Sequence, residues 1–328
     1  MNQSILFAES TLRRNYHNLQ FCPQNNREDL RKSAGQSIGR LKGALPGFKL
    51  VPFRGLSVQN LPFTQQLLLP YELAKLGKLE DAYLVLDAEK ALSATINLDE
   101  HLVLKSRGAV DELTGLTGKV RELENSVSDP NFPFAKDEQY GYLSYRPLLA
   151  GSGLYINLLL HLPILHYLKQ IYPLIQMMRE QGLLLRPASG YNSKNPARLF
   201  ILSNLSSLNM TDRQVLELVQ KGALQLIQKE RALQEKALNG SAHSIILDKL
   251  WRSYGILQYA RRLDANDFLV HWSGLRLGAS SGILPVSLKT ADSLLVYGND
   301  QVFREKEDQP NTFIFQRADA VRLMLSGG

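Results

Sequence analysis

Between Ala82 and Asn204 the apolar residues fall mostly in short runs closed off by turn-forming residues. Runs that short suit strands better than helices. AYLVLD (82–87) and SATINL (93–98) predict neighbouring strands, and HLVLK (101–105) continues the second or starts a third. YGYLSY (140–145) alternates with period two, GLLLRPAS (182–189) does so at its start, and RLFILSN (198–204) reads as a buried strand. Residues 154–180 predict two apolar helical stretches, with Pro163 and Pro173 as starts or kinks. The clearest helix signal runs from Thr211 to Leu238. Thr211 with Gln214 makes a capping box, and Asp212 lies where the helix dipole favours an acid. Val215, Val219, Leu226 and Leu233 form an apolar stripe, and Asn239-Gly240 supplies a stop.

Beyond that stop, residues 241–328 read as mostly helical, with the polar loop GNDQVFREKEDQPN before a tail helix near RADAVRLML. The boundary falls in the NGSAH segment, which divides the chain into 1–240 and 241–328. Strands and helices mix without strict βαβ alternation. That predicts an α+β fold: an antiparallel sheet flanked by helices, followed by a smaller helical C-terminal domain.

Composition narrows the function classes. With 44% hydrophobic and 21% charged residues the chain is globular. A net charge of +7 suits phosphate-bearing ligands or acidic partners, but no nucleic-acid-binding pattern accompanies it. The one cysteine, Cys22, excludes a disulfide framework and a cysteine-based metal site. The N-terminus lacks the pattern of a signal peptide. The apolar run Leu154–Leu165 is too short to span a bilayer and contains His161 and Pro163. A cytoplasmic protein, with no membrane partner, is expected.

Few residues carry chemistry by themselves. Gly151-Ser152-Gly153 reads as a strand-to-helix turn, where backbone amides could approach phosphate; glycines there also serve backbone geometry alone. His101, after Asp99 and Glu100, reads as a strand histidine hydrogen-bonded locally, and His161 and His166 read as packing residues. The pairs Arg13-Arg14 and Arg261-Arg262 read as solvated surface.

Taken together, the segments resemble one family. INLDEHLVLK (96–105), YGYLSYRPLLAGSGLYINLLLHLPIL (140–165) and GLLLRPASGYNSKNPARLFILSN (182–204) are similar, in order, to conserved blocks of the guanido phosphotransferases. LIQKERALQEKAL (226–238), WRSYGIL (251–257) and RLGASSGIL (276–284) continue the likeness. The branch resembled is the bacterial protein-arginine kinases. The resemblance makes residues 1–240 a guanido phosphotransferase-like catalytic domain and 241–328 a helical domain suited to homodimerisation. It implies transfer of a phosphoryl group from ATP, with Mg, to protein arginine. It also implies partners in protein quality control: a zinc-binding activator and Hsp100-type unfoldase–protease machinery.

Carried over position by position, the family's chemistry is largely missing. Its carboxylates fall on Leu98 and Tyr191, and its phosphate-binding arginines fall on Glu9, Thr11, Val103 and Tyr155. The conserved cysteine before the proline is Arg146, and of a C-terminal phosphoarginine-sensing motif only Arg317 and Ala318 match. Of the family's nucleotide-binding arginines only Arg186 survives; with Arg14, which matches the N-terminal run, and Gly151, Ser152 and Gly153 it makes up the expected nucleotide-binding residues, and no catalytic residue is expected. The reading is therefore a degenerate protein-arginine kinase, a pseudokinase with a regulatory or protein-interaction role. The alternative is an active kinase with divergent residues, in which Asp99, Glu100 or Arg146 substitutes.

Overall fold

The computed structural model describes residues 3–21, 26–45, 47–53, 81–87, 92–189, 194–240, 243–303 and 312–326. Its centre is an antiparallel sheet. The strands are β1 (Ile5–Arg14), β2 (Lys49–Pro52), β3 (Tyr83–Leu86), β4 (Leu92–Ile96) and β5 (Leu102–Gly108), then β8 (Leu154–His161), β9 (Leu183–Pro187) and β10 (Leu199–Asn204). They lie in the order β2-β3-β4-β5-β1-β8-β10-β9. β6 (Lys136–Asp137) and β7 (Gly141–Tyr142) form a separate small pair. The α+β reading and its antiparallel sheet hold.

One expectation fails. Leu154–His161 is a strand, not a helix, and it pairs with β1 on one side and β10 on the other. The strand is buried on both faces, so LYINLLLH carries no alternation to distinguish it from a buried helix. Consequently Gly151-Ser152-Gly153 leads into a strand, not into a helix. YGYLSY contributes only the two residues of β7. Pro163 does start a helix, α3 (Pro163–Tyr167), and Pro173 sits in the first turn of α4 (Ile171–Glu180), where its missing N–H breaks no bond.

Helices α1 (Arg27–Ala44), α2 (Leu113–Val127), α4 and α5 (Asp212–Asn239) share one core with Ala8, Leu12, Leu104, Ile156 and Leu158 of the sheet. Both halves of the Thr211–Gln214 capping box form, and Gly240 ends α5 in an extended conformation, without the left-handed turn glycine often supplies there. The later helices α6 (His243–Tyr259), α7 (Ala265–Ser280), α8 (Leu288–Leu294) and α9 (Phe313–Ser326) share a second core with Leu159, Leu199 and Ile201 on the opposite sheet face. His161 joins the two parts. It accepts from Arg276 Nη1 at 3.3 Å, which leaves Nε2–H to donate to Ser273 Oγ at 2.8 Å. No helix of the described residues is long and apolar enough to cross a membrane.

Glu230 of α5 fixes the start of α3: its carboxylate accepts from the amides of Ile164 and Leu165 at 2.8 and 2.9 Å. Burial outweighs those two bonds and raises its pKa from 4.5 to about 7. Between those values the folded chain holds a proton that the unfolded chain has released, so Glu230's contribution to stability falls as pH rises through that window. The full span is worth about 3 kcal/mol. Buried His101, whose pKa burial lowers from 6.5 to about 4, works in the opposite direction. The test is therefore a comparison of variants. Glu230→Gln should remove a decline of about 2–3 kcal/mol between pH 4.5 and 7 relative to the parent chain, read from urea midpoints across that range.

Candidate functional site

Strand alternation places Glu9, Thr11 and Arg13 of β1 on the face away from α1 and α2. Register then sets Val103, Lys105 and Arg107 of β5 beside them, and Tyr155 and Asn157 of β8 on the other side. The result is a polar strip along the centre of the sheet, next to the part that the C-terminal helices cover. Lys105 and Arg107 alternate along one strand, so the period-two pattern of HLVLKSRG places them on one face; the predicted strand HLVLK ends at Lys105 and leaves Arg107 out.

Two of the strip's cations, Arg107 and Arg13, are paired with carboxylates. Arg107 Nη2 donates to Glu9 at 2.8 Å, and Thr11 Oγ1 and Asn157 Nδ2 donate to the same carboxylate at 3.2 Å. Burial would raise the Glu9 pKa, yet Arg107 and Lys105 hold it below the usual carboxylate range. Arg13 is ion-paired with Asp99, and its guanidinium lies 5.3 Å from the centre of the Tyr155 ring. Burial opposes ionisation of Asp99 as well, and Arg13 again prevails, so its pKa is lowered. Glu100 is different: buried, it accepts from Asn15 and Ser144, and burial leaves its pKa raised. Arg13 Nε and Arg107 Nε are buried and make no hydrogen bond.

The expected nucleotide residues do not assemble into one site. Arg186 lies in β9 opposite Ile201, on the sheet face of Glu9 and Arg13. Arg14 points to the other face and is fully buried, which corrects its reading as solvated surface. It is ion-paired with Glu124 of α2, donates to Ser152 O at 3.2 Å, and stacks 3.5 Å from the centre of the Tyr142 ring. Arg121 binds Glu124 at 2.8 Å and Asp212 at 2.6 Å, extending the network to the start of α5. Ser152 and Gly153 thus serve Arg14, and Gly151 lies against Ser207. Gly153 has φ +67°, and a Cβ there would overlap the Arg14 guanidinium; Gly151 has φ +117°, and a Cβ there would strike Ser207 O. Arg146 is exposed, and Arg261 and Arg262 are exposed as expected. His101 accepts from Tyr16 N at 3.0 Å and bonds Gln20 O at 2.9 Å through Nε2, so its partners are distant in sequence rather than local. Tyr191 and Cys22 lie outside the described residues.

Comparisons with known proteins bear on this geometry. Residues 47–233 match the family described as ATP:guanido phosphotransferase, C-terminal catalytic domain, and residues 243–326 match the protein-arginine kinase McsB C-terminal domain. The chain belongs to the guanido phosphotransferase family, in its bacterial protein-arginine kinase branch. A protein-arginine kinase of Exiguobacterium sp. is 31% identical over 290 residues, which cover 87% of this chain and 80% of that protein. One from Desulforamulus reducens is 32% identical over 206 residues, covering 61% of this chain but only 56% of its own length. The fold is similar to lombricine kinase, with TM-score 0.59 and 18% identity over 73% of this chain and 70% of that one. It is also similar to the duplicated taurocyamine kinase of Schistosoma mansoni, with TM-score 0.61 and 16% identity over 76% of this chain and 37% of that one.

The family uses ATP with Mg, and this sheet face does not fit that ligand. Leu98 and Val103 are apolar and buried, Tyr155 donates its hydroxyl to Leu148 O at 2.8 Å, and Glu9 puts a carboxylate among the remaining cations. Among the described residues no group of His, Cys, Asp or Glu side chains could hold a metal ion.

The Arg14 network makes a structural prediction. Glu124→Gln should cost about 3–5 kcal/mol, because it leaves a buried guanidinium without its partner. Gly153→Ala should cost about 2 kcal/mol or more through its backbone conformation and the clash with Arg14. Both are read from guanidinium chloride midpoints.

Proposed function

We propose that this chain is a catalytically degenerate protein-arginine kinase that acts through protein contacts in protein quality control. The observation that carries the reading is the Glu9–Arg107 ion pair at the centre of the sheet face. Phosphoryl transfer needs preorganised cations around the polyphosphate and carboxylates that draw a proton from the acceptor guanidinium. Here a carboxylate already neutralises Arg107, and a second neutralises Arg13. Glu9 and Asp99 have lowered pKa values, each held down by a guanidinium of its own. Carboxylates held in that state are poor bases toward another guanidinium. Each positioned donor missing from a transition-state charge typically costs about 3 kcal/mol, and such losses combine without adding simply.

The contacts proposed are those of the branch: a zinc-binding activator, Hsp100-type unfoldase–protease machinery, and a second copy of the chain through the C-terminal helices. Tyr259 and Leu323, exposed by 70% and 76%, border one shallow cavity on those helices and support the last of these.

Purified protein with radiolabelled Mg-ATP and arginine-rich protein substrates should yield no acid-labile phosphate. Millimolar ATP should leave the thermal midpoint unchanged, since only a ligand bound by the folded state raises it. Robust labelling that is lost in Arg186→Ala would instead establish an active kinase with divergent residues.

A further inference from the structure

A cavity of about 330 Å³ opens between α3, α6 and α7, beside the turn that leads into β10. That volume suits a small ligand. Most of its wall is apolar, formed by Ile164, Ile246, Leu250, Ile256 and Leu277. Arg198 completes the wall. Its backbone is left-handed, with φ +54°, a conformation that side-chain-bearing residues adopt at a cost. Its Nη1 donates to Pro196 O and Val270 O, both at 3.3 Å, and no carboxylate among the described residues pairs with it. Burial lowers its pKa with no acid opposing the change.

The other polar groups around the cavity do not supply the missing charge. Lys249 lies over the Tyr167 ring, 3.9 Å from its centre. Arg252 is paired with Asp248 at 2.7 Å, and His271 meets Asp267 at 3.4 Å. None of the lining residues is Asp or Glu. Arg198 is half-buried, and a guanidinium partly withdrawn from water without a counter-ion is a candidate ligand group.

We propose that this cavity binds a monocarboxylate carried on an apolar body, with Arg198 holding the carboxylate and the Ile164, Ile246, Leu250 and Ile256 side chains enclosing the body. Other anions fit less well. A free amino acid would bring an ammonium group that no lining carboxylate can meet. A phosphate would leave most of its oxygens against apolar walls. Two sources share the favoured chemistry: a free apolar acid, and the last residue of a peptide. The site stands apart from the sheet's polar face and does not depend on the loss of kinase chemistry.

Octanoate titrated into the full chain, followed by calorimetry and thermal shift, should bind saturably and raise the midpoint with concentration. Octanamide, of the same shape without the charge, should bind at least about tenfold more weakly, the equivalent of one charge-assisted hydrogen bond. Arg198→Gln should weaken octanoate by a similar factor. Because Arg198 also holds two backbone carbonyls, Ile256→Trp serves as a second variant. Ile256 lies at the rim, 37% exposed, and the larger ring fills the cavity. Displacement of octanoate by a peptide ending in a free leucine carboxylate, but not by its amide, assigns the site to chain ends; octanoate binding without displacement assigns it to free acids. Octanamide matching octanoate, or octanoate binding unchanged in both variants, overturns the proposal. So does octanoate that fails to bind, whether the cavity is empty or light scattering shows a second copy of the chain covering it.

Discussion

The ion pair between Arg14 and Glu124 holds the first half of this molecule in register. Arg14 ends the central strand, Glu124 sits on the helix packed beneath it, and neither side chain reaches solvent to any extent. Around this pair the Gly151–Gly153 turn, the Tyr142 ring and, through Arg121, the first turn of α5 are all fixed. A buried guanidinium needs its hydrogen bonds supplied in fixed directions, so each of these elements has one acceptable position. The turn that resembles a phosphate-binding loop in sequence is therefore a cradle for a side chain of the same chain.

The sheet's other face has settled its charges in a similar way. Where a guanido kinase must keep cations free for polyphosphate, this face has matched Arg107 with Glu9 and Arg13 with Asp99. Each pair stiffens the surface and offsets the charge of one guanidinium, while Lys105 stays in the strip with no ion pair among the described residues. Apolar Leu98 and Val103 continue the change, turning two positions of the inferred site into packing positions.

Much of the architecture was legible in the sequence because the cues were local. The capping box at Thr211, the alternating strands and the helical region after Gly240 follow from spacing over a few residues. Leu154–His161 was misread because burial on both faces erases the period that marks a strand. For the site, the sequence offered only position-by-position likeness to the family, which names Leu98, Val103 and Tyr155 without saying what they touch. The destinations of the surviving groups were not legible. Arg13 and Arg14 are adjacent and chemically alike, but strand geometry sends them to opposite faces and to different partners. Only the assembled sheet reveals that Lys105 and Arg107 line the same strip as Glu9.

The strand order has a consequence for how the chain is made. β1 covers residues 5–14, yet its neighbours in the sheet are β5 at 102–108 and β8 at 154–161. Its buried side chains, Ala8 and Leu12 among them, have no lasting cover until the last of those strands has been synthesised. At ordinary rates of translation that interval is roughly ten to thirty seconds. Contacts so remote in sequence also close slowly once the chain is complete. The segment that organises the finished protein is thus among the longest exposed during its synthesis, and it is there that a nascent chain of this kind has most need of a chaperone.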